Sequence, residues 1–262
     1  MFVVQVPWGE ALYSTFVPAI ELKPEYFAGL IAVLGTTISP YLFFWQASEE
    51  VEEIESSSTE NALKESPLQA PEQLQRIKAD TYIGMGFSNL IAFFIILTTA
   101  VTLHAHGVTD IQSSAQAAEA LRPIAGNFAY ALFTVGIVGT GLLAVPVLAG
   151  SVAYAVSGVF DWNASLERKP LQAKRFYGIL AVTTLMGLSL DFTPIDPIKA
   201  LFWAAVVNGV LAGPVMVVIM LMATNSAVMG QFIVSRRLKL TGWLATAVML
   251  IAAGGLFATW GK

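Results

Sequence analysis

Gly35-Thr36-Thr37-Ile38-Ser39-Pro40-Tyr41-Leu42-Phe43-Phe44-Trp45-Gln46 sets a proline between hydroxyl side chains in the middle of an apolar run. That run, residues 26–47, is long enough for a bilayer, which takes about 20 apolar residues. Proline removes a backbone donor and clashes with the carbonyl four residues earlier. Ser39, just before it, is pushed out of helical angles. Backbone groups freed in this way cannot face lipid, so such a break has to be buried in protein or line a cavity. Broken helices near the membrane midplane are where many transporters hold their ions.

The rest of the chain fits that setting. Of 262 residues, 56% are hydrophobic and 12% charged, with a mean hydropathy of +0.68. Soluble domains carry about 25% charged residues, so the composition points to an all-α, polytopic membrane protein. Candidate spans are Tyr26–Ala47, Thr81–Leu103, Phe128–Phe160 with Pro146, the short Phe176–Leu190, Ile198–Met222 with Pro214, and Leu240–Trp260. The sequence thus predicts about six transmembrane helices within a single domain, residues 1–262. The polar stretch Ser48–Ala79 is expected as a loop.

Lysine and arginine set the orientation. Lys64, Arg76 and Lys78 follow the first span, Arg168, Lys169, Lys174 and Arg175 the third, and Arg236, Arg237 and Lys239 the fifth. Only Lys23, Arg122, Lys199 and Lys262 fall on the other side. The first set is assigned to the cytoplasm, which makes Ser48–Ala79 a cytoplasmic loop and puts both termini outside. The opening Met1-Phe2-Val3-Val4-Gln5 has no basic region, and the first twenty residues read as an aromatic-rich interfacial loop. An external start without a signal is the expectation for a chain preceded by a missing part.

No Asp, Glu, Lys, Arg or His lies deep in a span. A divalent cation stripped of water at low dielectric needs an anionic ligand, which these spans do not offer at midplane. Asn89 and Asn208 either hydrogen-bond between helices or line an ion path. Glu49, Glu50, Glu52 and Glu53 follow the break directly. They form either a solvated face or a cation-attracting inner vestibule. His104 and His106 stand at i and i+2, off any shared helix face, and read as interfacial rather than metal-binding. Close helix packing accounts for Gly84 and Gly86 and for the stripe Gly136, Gly139, Gly141 and Gly150. No nucleophile with a base, phosphate-cradling loop or intramembrane metal cluster is visible, so no enzyme, cofactor or nucleic-acid partner is expected.

Several stretches together resemble the Nramp family of divalent metal transporters. They are Pro7-Trp8-Gly9-Glu10, Val17-Pro18, the break with Gly35, Thr37, Pro40 and Leu42, Asp80 to Asn89, Leu121-Arg122-Pro123 with Phe133, Ala149-Gly150 and Met229-Gly230. The resemblance implies a LeuT-type fold, with this chain as its second inverted repeat plus one extra helix. It also implies multi-pass residence in a bacterial inner membrane and a missing or separate N-terminal half bearing the carboxylate ligand.

By the same resemblance, Thr36 and Ser39 would be metal ligands, and Tyr41 and Gln46 would belong to the ion pathway. The departures are informative. Ser39 stands where the family has a thioether, and Tyr41 and Gln46 stand where it has histidines. Oxygen in place of sulfur makes the site hard, suiting magnesium over softer ions, although manganese stays open. The loss of both histidines removes groups that titrate near neutrality. The rival expectations are an amino-acid permease of the same architecture and a non-transporting, truncated or regulatory membrane subunit.

Overall fold

The computed structural model describes residues 6–57, 59, 61–104, 107, 111, 113–119, 122 and 126–260. His106, Leu121, Pro123 and Lys262 lie outside them, as do Met1 to Gln5. Ten α-helices run through the described residues. They are α1 (Trp8–Phe16), α2 (Pro24–Thr37), α3 (Pro40–Ser56), α4 (Ala70–Thr102), α5 (Ser114–Glu119), α6 (Ala129–Val159), α7 (Lys174–Ser189), α8 (Pro197–Ala223), α9 (Ser226–Met229) and α10 (Arg236–Thr259).

Among the described residues, five stretches are long and apolar enough to cross a membrane: Pro24–Ser56, Pro67–Thr102, Gly126–Val159, Pro197–Ala223 and Arg236–Thr259. Five of the six expected spans are therefore present. The fourth, Phe176–Leu190, is helical as α7 but only 16 residues long before a 3₁₀ turn at Leu190–Phe192. At about 1.5 Å per residue that is roughly 24 Å, short of the ~30 Å hydrocarbon core.

Two other expectations change. Ser48–Ala79 is not mainly loop: α3 runs on to Ser56 and α4 begins at Ala70. Glutamate is a good helix former, so Glu49 to Glu55 prolong the helix rather than stop it. Within the first twenty residues, Trp8–Phe16 is a helix with no buried residue.

The chain divides into two units. The first holds residues 1–20, 74–146 and 190–200. In it, most of α4 and the first half of α6 expose their apolar side chains, including Ile83, Phe87, Ile95, Val135, Leu142 and Leu143. A β-carbon added at Gly84, Gly86, Gly136, Gly139 or Gly141 would meet nothing within 4 Å. The close packing expected of these glycines is absent among the described residues. Arg122 and Tyr130 both donate to the Glu119 carboxylate, at 2.6 and 2.7 Å, and tie α5 to the start of α6.

The second unit, residues 21–73, 147–189 and 201–262, is the packed one. Ala28, Ile31 and Ala32 of α2, Ala205 and Val206 of α8, and Ala252, Ala253 and Leu256 of α10 form its core. Small residues let the three backbones approach closely. Gly35 lies against the Ala205 carbonyl and Gly209, Gly209 against Ile31, Gly255 against the Phe27 ring, and Gly213 against Leu250. Each pair of these helices thus meets at a glycine. A smaller core joins Ala153 and Tyr154 of α6 to Ala173 and Phe176, with Trp45 of α3 packed on it.

Candidate ion-path site at the broken helix

The break falls where the sequence places it. Helix α2 ends at Thr37, Ile38 and Ser39 take non-helical angles, and α3 starts with Pro40 at its first position. Proline suits a first helical position because the missing N–H would have no intrahelical partner there. Ser39 is extended, with φ −93° and ψ 120°. Its hydroxyl does not cap α3. It turns back and donates to the carbonyl of Gly35 at 2.7 Å and, more weakly, of Thr36 at 3.3 Å. Ser39 therefore satisfies carbonyls that the end of α2 leaves without helical partners. The Ile38 amide reaches the Leu34 carbonyl at 2.7 Å and closes the turn.

The two residues expected as ligands occupy unlike places. Ser39 is 1% exposed, on the same side as buried Gly35. Thr36 is exposed. Its hydroxyl donates to the Val33 carbonyl at 2.8 Å, and that of Thr37 donates to the same carbonyl at 2.7 Å. With both protons spent inward, the hydroxyl lone pairs remain as acceptors. The break thus has a packed side, held by Gly35 and Ser39, and an open side carrying Thr36.

The other candidates are dispersed. Tyr41 is half-buried on the first turn of α3. Gln46 is exposed and donates to Glu50 at 2.9 Å, one helical turn on. Asn208 is half-buried in α8, next to the Gly209 that meets α2. Asn89 belongs to the first unit and donates to its own helix at the Met85 carbonyl, 2.8 Å away. His104 is exposed. Among the described residues, no three His, Cys, Asp or Glu side chains come together as a metal site.

The acidic run is not uniform. Glu49 and Glu50 are half-buried and Glu53 is exposed. Glu52 is 8% exposed and points into the protein. It accepts a hydrogen bond from the Tyr154 hydroxyl at 2.6 Å and from the Leu166 amide at 3.2 Å. Trp45 stands edge-on to the Tyr154 ring, with centroids 5.8 Å apart, and covers Gly150. A carboxylate at this depth is tolerable because two donors meet it. Its effect is to fix α3 to α6 and to the segment ahead of α7. A cavity of about 240 Å³ opens beside it, lined by Glu52, Glu55, Ser165, Glu167 and Arg168.

Sequence reasoning missed the partners Tyr154 and Leu166, which lie 102 and 114 residues from Glu52. It also missed the contact of Gly35 with Gly209. A signal for the second was present: Ala205, Gly209 and Gly213 recur every four residues on α8.

Comparison with known proteins gives a consistent result. A family model for natural resistance-associated macrophage protein-like (Nramp) sequences matches residues 1–259. A divalent metal cation transporter MntH from Deinococcus radiodurans is 23% identical over 248 residues, covering 94% of this chain and 52% of that protein. A divalent metal cation transporter MntH from Klebsiella pneumoniae (strain 342) is 25% identical over 229 residues, covering 86% and 49%. The chain spans about half the length of these relatives.

Proposed function

Since this chain belongs to the Nramp family, which matches it over residues 1–259, we propose that it serves divalent metal cation transport, with the break between α2 and α3 as one wall of the ion path. The observation that carries this reading is the two-sided break. Gly35 and Ser39 anchor its inner side, and Thr36 presents oxygen on its open side. Relatives named as divalent metal cation transporters support the same class of cargo.

Thr36 offers hydroxyl and carbonyl oxygens to the ion, while Ser39 keeps the break open by holding the end of α2. Tyr41 and Asn208 border the path, and Glu49, Glu50 and Glu53 concentrate cations at its inner mouth. Residues 26–48 contain no ionisable group of either sign other than tyrosine. The anionic ligand that a dehydrating dication requires is therefore placed on a first half, in the same or a separate chain. Oxygen ligands favour magnesium, which keeps part of its water shell.

Uptake into vesicles tests the proposal. The chain is reconstituted with and without a first half of an Nramp transporter, and magnesium and manganese entry are compared. Entry that requires the first half and exceeds leak for magnesium supports the reading. Entry driven by this chain alone, and undiminished by Ser39→Ala, would overturn it.

A further inference from the structure

Helix α6 ends at Val159, and the residues after it fold around an open cavity of about 460 Å³. Asp161, Trp162, Asn163, Gln172, Lys174 and Arg175 line it. Segments that directly follow a spanning helix lie at the level of lipid headgroups, where tryptophan and lysine or arginine collect. The surroundings suit that level. Phe160 stacks on the lining residue Trp162 with centroids 5.0 Å apart and is 60% exposed, and Leu171, also on the lining, is 80% exposed. Apolar side chains at the rim of a cationic cavity fit a ligand with one charged and one fatty end.

Arg175 is positioned as well as charged. Its guanidinium carbon lies 4.9 Å from the Trp162 ring centroid. Stacking a guanidinium on a ring leaves the N–H edge free to grip an oxyanion with two parallel bonds. Lys174 adds a compact ammonium, and the Asn163 and Gln172 side chains add neutral donors. Asp161 is the one opposing charge on the lining, so the two cations prevail. We propose that this cavity binds the phosphate of an anionic phospholipid headgroup, with Lys174 and Arg175 as its ligands and Phe160 and Leu171 against the chains.

Native mass spectrometry of the purified protein, titrated with phosphatidylglycerol or phosphatidylcholine, tests this. Phosphatidylglycerol should be retained in preference, and Lys174→Gln with Arg175→Gln should weaken that retention by roughly tenfold or more, at about 1 kcal/mol per cation. Asp161→Asn should strengthen it. Asp161 has a φ of 53°, which asparagine tolerates, so this gain does not depend on a damaged fold. Three results would overturn the proposal. They are equal retention by the double variant, the same loss from Arg236→Gln with Arg237→Gln, and displacement of the lipid by millimolar inorganic phosphate. The last would mark a soluble-anion site instead.

Discussion

Pro40 and Pro214 both lie in apolar stretches of the second unit, yet only one of them ends a helix. Helix α8 continues through Pro214, whereas α2 stops at Thr37, with Ile38 and Ser39 between it and Pro40, where α3 starts. Proline frees a carbonyl at both places: Thr36 for Pro40 and Val210 for Pro214. What differs is the company. Before Pro214 stands Gly213, which meets Leu250 of α10 and adds no polar group. Before Pro40 stands Ser39, extended and buried, whose hydroxyl takes over the loose carbonyls of α2. A proline makes a break possible, and a neighbour able to replace the lost bonds makes it permanent.

The anchoring of the break is the first part of this comparison to attack. Gly209→Val would drive a side chain into the Ile31 backbone at the crossing of α2 and α8. Overpacking against backbone costs roughly 1–3 kcal/mol or more. The thermal midpoint in detergent, followed by tryptophan fluorescence, should fall further than for any other change considered. Gly139→Val, which meets open space, should leave it nearly unchanged.

The far end of α3 comes next. Glu52→Ala leaves the Tyr154 hydroxyl and Leu166 amide without their partner, a loss of roughly 1–3 kcal/mol. With Tyr154→Phe it should be non-additive, because the two groups share one bond. Additive losses would show that α3 is held in some other way. The smallest effect is expected at the break. Ser39→Ala removes one net hydrogen bond, about 1 kcal/mol. Amide exchange across residues 35–39 should accelerate roughly fivefold by local opening, while residues 210–216 stay unchanged.

The break was legible because its cause is local: a Ser-Pro pair inside an apolar run constrains its own backbone. The long spans were legible for the same reason, as hydropathy is a property of contiguous residues. Partners distant in sequence were not. Nothing near Glu52 distinguishes it from Glu53, and only the fold aims it at Tyr154. The glycines misled in the opposite way. Gly136, Gly139 and Gly141 look like a packing stripe but meet none of the described residues within 4 Å, while the single Gly35 touches another helix backbone. Thr36 and Ser39 look equivalent as oxygen donors, and burial alone separates the accessible one from the structural one.

Residues 1–262 contain no cysteine, so with a cysteine-free first half a single introduced thiol reports on one position. Thr36→Cys and Ser39→Cys, each assembled with a first half in vesicles, are exposed to a water-soluble thiol reagent with and without magnesium or manganese. The two-sided break predicts that Thr36→Cys reacts and is protected by the divalent ion, while Ser39→Cys stays unreactive. Equal labelling at both positions, or labelling of Thr36→Cys that no divalent ion slows, would contradict it.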